Sequence, residues 1–265
     1  MVNFEYKSAY DMSDFRKIIE VLRSPGGCPW DIEQTHESIR RNLLEEAYEV
    51  CEAIDQKNPE HLREELGDLL LQIIFHTRIE EENGTFNLDD VADSSCKKLI
   101  YRHPHVFGNV DVSGSDEVIQ NWDELKKKEK AQTTVTKTMT DVAESLPALW
   151  RAEKVQKKAR KVGFDWPEVS TAMDKLHEEL SELEQAQEQG DKAHIEEELG
   201  DLLFSAVNVA RFMDIDPETA LHKSCEKFIK RFEYIETEAT KSGRKLQDMT
   251  LEEMDELYRA CKQLH

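Results

Sequence analysis

An all-α protein made of two tandem helical bundles, completed by oligomerisation, is the fold this sequence predicts, and three observations carry it. The string EELGDLL occurs at Glu64 to Leu70 and again at Glu197 to Leu203. Around it, Glu45, Glu46, Glu49, Glu64, Glu65 and Asp68 return as Glu178, Glu179, Glu182, Glu197, Glu198 and Asp201, every one displaced by 133 positions. The long segments are rich in Glu, Lys, Leu, Ala and Gln with apolar spacing of three and four, which favours helix over strand.

The second copy reads as three helices: from about Val169 to Gln189, from about Ala193 to Met213, and from Pro217 to about Thr240. Gln189 to Asp191 breaks the first pair, and Asp216 before Pro217 is a helix start. The first copy repeats the plan, with Asn58-Pro59 as its break and ENGTFN at Glu82 to Asn87 between its second and third helices. SCKKLIYR at Ser95 to Arg102 then answers SCEKFIKR at Ser224 to Arg231, in a register of 129. Trp122 with Lys126 resembles Tyr258 with Lys262 in spacing, a weaker match. A charge run and a Thr-rich, core-poor stretch, KKKEKAQTTVTKTMT, separate the copies. The expected division is an N-terminal domain at 1–130, a linker at 131–145 and a C-terminal domain at 146–265.

Composition narrows the function. With 35 basic against 56 acidic residues the formal charge is −21, which repels nucleic-acid backbone and anionic membrane. The charged first twenty residues exclude a signal-peptide apolar region, and no run approaches the roughly 18 apolar residues of a membrane helix. Five dispersed cysteines without a C-x-x-C indicate neither a disulfide framework nor a zinc site. A soluble, cytoplasmic protein is expected.

The acids carry the chemistry. Glu179 and Glu182 are three apart, as are Glu198 and Asp201, so each pair projects from one helix face. A short break makes the two helices antiparallel neighbours, and four carboxylates converge between them. Two hard divalent cations in octahedral oxygen coordination, Mg²⁺ or Mn²⁺, would neutralise such a cluster. Iron fits less well, because ferritin-like di-iron bundles use Glu-x-x-His twice and Glu33 to His36 is the single instance here. A solvated face explains one Glu pair, but not six acids in register while Tyr48/Ser181 and Cys51/Glu184 diverge. The Leu run after each Asp places that Asp near buried surface. Lys227 and Arg231, four apart on the next helix and matched by Lys98 and Arg102, suit phosphate oxygens. A metal pair beside a Lys-Arg pair suits metal-assisted hydrolysis of a polyphosphate substrate. No Walker-type loop is present. Trp30 and Trp166 read as core plugs, with a further aromatic face for the substrate as the alternative.

The pattern Glu-Glu-x-x-Glu then Glu-Glu-x-x-Asp, at EELSE and EELGD, resembles the all-α nucleoside triphosphate pyrophosphohydrolases. The two-copy layout with GGCPWD (Gly26 to Asp31), YRHPHVFG (Tyr101 to Gly108) and KVGFDW (Lys161 to Trp166) is similar to the MazG family over nearly the whole chain. The resemblance implies Mg²⁺-dependent hydrolysis of NTPs or dNTPs to monophosphate and pyrophosphate by water attack at the α-phosphate, in paired protomers. Carried onto this sequence, it makes Glu179, Glu182, Glu198 and Asp201 metal ligands, with Glu179 also near substrate. It makes Lys227 and Arg231 phosphate contacts, assisted by Lys175. Glu178 and Glu197 orient the attacking water or support a ligand, and sequence does not choose between these roles. Tyr258 stands where the family tends to have a tryptophan facing the nucleotide. The resemblance favours the C-terminal copy as the working one; Glu46, Glu49, Glu65 and Asp68, with Lys98 and Arg102, form a second possible site. The rival readings are a narrower dUTP, dCTP or phosphoribosyl-ATP pyrophosphohydrolase, a non-enzymatic metal-binding helical scaffold, and a coiled-coil adaptor, which the break at Gln189 to Asp191 opposes.

Overall fold

The computed structural model describes residues 4–129 and 133–264, and among them there are helices and no strand. The chain forms two compact units that divide between Lys126 and Lys127. The first contains α1 (Met12–Arg23), α2 (Pro29–Glu33), α3 (His36–Asp55), α4 (Pro59–Glu82), α5 (Leu88–Arg102) and α6 (Pro104–Phe107), and ends within α7 (Ser115–Glu129). The second contains α8 (Val135–Thr140), α9 (Ala148–Arg160), α10 (Val169–Gln189), α11 (Lys192–Phe212), α12 (Pro217–Lys241), a 3₁₀ turn at Leu246–Asp248, and α13 (Leu251–Leu264).

Local chemistry explains where the site helices begin and end. Asn58 accepts hydrogen bonds from the N–H groups of Glu60 and His61, and Pro59 opens α4 where no N–H is needed. Asp191 caps α11 and Asp216 caps α12 in the same way. The break after α10 turns on Gly190, left-handed at φ 75°. Its counterpart in the first unit, Lys57, holds φ 53°, a conformation that costs a side-chain-bearing residue about 1 kcal/mol.

The helix pairs α3/α4 and α10/α11 are the most extensively packed in their units. In the first unit Ile19, Ile39, Ile74, Phe75 and Ile79 form the core, with Phe15, Leu22 and Leu88 packed against it. In the second, Ala172 and Ala186 let α10 approach α11, whose Val207 and Val209 are buried, and Ile235 and Ala239 close the core from α12. Truncating a buried residue such as Ile19 to Ala costs about 2–5 kcal/mol, because the cavity left behind only partly collapses.

Two expectations change, and a third is refined. Trp30 and Trp166 are not core plugs: they are 59% and 39% exposed, and Trp30 rides on the five-residue α2, which is too short to bury a face. In the run after Asp68, Leu70 and Leu71 pack against the core, so that aspartate does stand near buried surface. Consecutive leucines on a helix point around the axis in steps of about 100°, so Leu203 in the second run faces outward, and Asp68 and Asp201 are themselves exposed. The stretch expected as a linker carries α8, whose Thr138 is buried together with Val142, so it folds onto α9; residues 131 and 132 lie outside the described residues.

Candidate active site

The antiparallel pairs bring three carboxylates together in each unit. Oxygens of Glu179, Glu182 and Glu198 lie within 4.8 Å of one another, as do those of Glu46, Glu49 and Glu65. Asp201 and Asp68 stand outside these groups. Each is one methylene shorter than a glutamate and sits a turn further along its helix, although the charge of Asp68 still acts on Glu46. Glu179 is 5% exposed, and the side chains of Glu65 and Glu198 are largely covered.

Burying like charges has a visible electrostatic consequence. Burial pushes Glu182 above the ordinary carboxylate range; Lys175 opposes this, and the carboxylates of Glu179 and Glu178 add to the rise. Glu46 is raised by burial and then by the charges of Glu49, Asp68 and Glu65. In the second unit Lys175 partly compensates, with Nζ 2.8 Å from Glu179 and 2.9 Å from Glu178, and its own pKa is raised by the bonds to Glu179 and then Glu178. The first unit has Asn42 at the corresponding position, while Arg41 pairs with Glu45 at 2.7 Å, so its cluster lacks that ammonium.

Sequence reasoning missed two further participants. His194 Nε2 lies 3.1 Å from Glu198, and His61 Nε2 lies 3.0 Å from Glu65. Both share the 133-residue register and stand one turn before their glutamates, a spacing that could have found them, and each braces a cluster carboxylate.

Lys227 and Arg231 lie on α12, which packs on α9, α11 and α13, and neither is ion-paired with a cluster acid among the described residues. Arg231 instead points to Tyr258: its guanidinium is 5.2 Å from the ring centre, Nη1 is 3.4 Å from the hydroxyl, and Lys262 lies 5.5 Å from the same ring. In the first unit Arg102 lies 5.2 Å and Lys126 4.7 Å from the ring of Trp122. The weaker sequence match thus becomes one arrangement built twice, an aromatic face held between two cations. Lys98 and Lys227 are exposed beside these assemblies. Glu197 is exposed, and Glu178 is held by Lys175.

The donors are all hard carboxylate oxygens, close together and incompletely compensated, and this set fits a hard divalent cation such as Mg²⁺ or Mn²⁺. Fold and site together define a class: all-α proteins with a doubled bundle, each bundle bringing together, between two antiparallel helices, carboxylates whose chemistry fits a divalent cation. The sequence model of the MazG nucleotide pyrophosphohydrolase domain matches residues 34–107 and 168–235, one match per unit, and the chain belongs to that family. The nucleoside triphosphate pyrophosphohydrolase/pyrophosphatase MazG of Thermotoga maritima is 44% identical over 245 residues, covering 92% of this chain and 93% of its own. The nucleoside triphosphate pyrophosphohydrolase of Escherichia coli K12 is 42% identical over 248 residues, with coverage of 92% and 94%. Protein YabN of Bacillus subtilis is 46% identical over 255 residues, 96% of this chain but 52% of its own.

Proposed function

We propose that this protein hydrolyses nucleoside and deoxynucleoside triphosphates to the monophosphate and pyrophosphate, in a Mg²⁺-dependent reaction centred on the C-terminal unit. The observation that carries this reading is the convergence of Glu179, Glu182 and Glu198 beside Lys175, an ammonium the N-terminal cluster lacks. Relatives that match nearly end to end are named as enzymes of this reaction.

Glu179, Glu182 and Glu198, joined by Asp201, would hold Mg²⁺ or Mn²⁺, which supplies Lewis-acid stabilisation of charge developing on phosphate oxygens. Lys227 and Arg231 bind the outer phosphates and stabilise pyrophosphate as it leaves. Tyr258, fixed between Arg231 and Lys262, offers its face to the base or ribose. Glu197 is exposed and unpaired among the described residues, whereas Glu178 is tied to Lys175, so a Glu197 carboxylate oxygen takes the proton of the attacking water. His194 keeps Glu198 oriented. The N-terminal cluster is a second possible site of the same design.

No helix among the described residues is long and apolar enough to cross a membrane. With the −21 charge, this supports a cytoplasmic enzyme acting on free nucleotides rather than on nucleic acid. The exposed Leu199, Leu203, Phe228 and Phe232 support a homodimer that covers them.

Hydrolysis in ¹⁸O-labelled water tests the reading. The label is expected in the nucleoside monophosphate, and Arg231→Ala raises KM or lowers kcat without moving it. Nucleoside diphosphate as main product, or label confined to pyrophosphate, overturns attack at the α-phosphate. Turnover of a single nucleotide would favour a narrower pyrophosphohydrolase, and no turnover with Mg²⁺ present a metal-binding scaffold.

A further inference from the structure

The most unusual polar assembly outside the carboxylate clusters joins the start of α3 to the end of α4. His36 Nε2 lies 2.6 Å from Glu80 Oε1, and His36 Nδ1 lies 2.7 Å from His76 Nδ1. The two rings are 8° from parallel with centroids 5.0 Å apart. That separation is what two imidazoles produce when they meet edge to edge through a short N···N contact, so the rings are coplanar rather than stacked face on face. A cation bound by both Nδ1 atoms at a bent, tetrahedral angle would not align them this way; a shared proton does.

The contact fixes the proton count. Glu80 accepts a hydrogen bond from His36 Nε2–H, and one of the two Nδ1 atoms carries the proton the other accepts. With one added proton a single hydrogen still lies between the two Nδ1 atoms, so the contact persists, but each Nε2 then carries a hydrogen. A second proton puts N–H groups on both Nδ1 atoms, and the contact becomes repulsive. His76 Nε2 is buried without a partner, so a hydrogen on it is a stranded donor, and the first added proton already weakens the latch that the second one opens. Glu80 further accepts a hydrogen bond from the Thr85 hydroxyl, and its carbonyl accepts from Thr85 Oγ1 at 3.0 Å, which ties in the turn leading to α5.

We propose that Glu80, His36 and His76 form an acid-sensitive latch that holds the start of α3 and the α4–α5 turn onto α4, and that it opens when both imidazoles are protonated. Charged groups facing it from the packed elements do not offset that opening. α3 contributes His36 and α4 itself Glu80. α1 contributes Arg23, 5.0 Å from the Phe75 ring centre and bound to Glu82 at 2.8 Å. At the start of α5, Asp89 is held by Arg16 at 2.8 Å. Burial, and then the charge of His36, keep His76 below the ordinary histidine range. The folded state therefore binds its second proton less readily than the unfolded chain. The latch is closed above the ordinary histidine range, and its contribution is lost as pH falls through and below it. In the 133-residue register His36, His76 and Glu80 correspond to Val169, Val209 and Met213, so the second unit has no titratable group at these positions and lacks this response.

Hydrogen exchange of the full chain, compared at about pH 7.5 and about pH 5.5 after correction for intrinsic rates, reads the latch directly. Protection at residues 34–40 and 74–86 is expected to fall about tenfold or more in acid, with residues 169–175 and 205–215 unchanged. His76→Val removes the pH response. Glu80→Gln weakens the singly protonated latch and moves the transition toward neutral pH, which keeps the idea testable where His76→Val folds poorly. Equal loss in both units, no acid effect, a response retained in His76→Val, or an unmoved transition in Glu80→Gln would each overturn the latch.

Discussion

The guanidinium of Arg231 lies 5.2 Å from the centre of the Tyr258 ring, and Arg102 lies at the same distance from Trp122 in the other unit. Each ring also has a lysine over it, Lys262 or Lys126. The aromatic thus fixes an arginine whose distal nitrogens we propose to bind phosphate. Tyr258→Ala should raise KM for nucleotide more than it lowers kcat, and Tyr258→Trp should lower KM, because the larger ring face stacks more strongly. Steady-state kinetics with a purine and a pyrimidine triphosphate measures both; an unchanged KM in Tyr258→Ala would remove the ring from the site.

Glu198→Gln and Asp201→Asn should each reduce hydrolysis by orders of magnitude while leaving the helical circular-dichroism spectrum intact, since several kcal/mol of transition-state stabilisation would depend on the cation we propose these groups to hold. Glu65→Gln and Asp68→Asn should do less harm. Pyrophosphate release by the four variants decides, and equal damage from both sets means two working sites.

Lys175 is ion-paired with Glu179 and Glu178. Lys175→Met should therefore tighten Mn²⁺ binding, by removing a competitor and a repelling charge, while lowering the melting temperature of the metal-free chain. Calorimetric titration with Mn²⁺ and a melting curve in chelator test the two halves; weaker Mn²⁺ binding would contradict the assignment.

The raised carboxyls set the sign of a pH effect. Glu182 and Glu46 hold protons more tightly in the folded chain than in the unfolded one, so the metal-free protein loses stability as pH rises from the ordinary carboxylate range through their raised values. A divalent cation needs the ionised forms and stabilises most at neutral pH. The melting-temperature gain on adding Mg²⁺ should be larger near neutrality than at about pH 4.5. An equal gain at both would show that these acids do not hold the ion.

Leu199 and Leu203 are 45% and 51% exposed on one face of α11. A two-fold dimer covering them is expected at micromolar concentration, and Leu199→Asp with Leu203→Asp should release monomers of low activity. Light scattering of the parent chain and of the double variant measures the mass, and an active monomer would refute the pairing.

Much of this was legible in one dimension, because helical periodicity and a duplicated acid register are local properties. The α10 boundaries, the Asn58-Pro59 and Asp216-Pro217 starts, and the pairing of Glu46, Glu49 and Glu65 with Glu179, Glu182 and Glu198 follow from spacing, since side chains three and four apart share a helix face whatever surrounds them. Spacing does not say which face is covered. That choice depends on what packs against each helix, and it left Trp30 and Leu203 outside, put Asp201 beyond the three converging glutamates, and buried Glu179. Contacts between distant segments were equally invisible: Arg231 with Tyr258, and His36 with His76, meet only because α13 folds back on α12 and α4 runs antiparallel to α3. Periodicity orients a side chain about its own helix axis, but only packing decides which neighbour it meets.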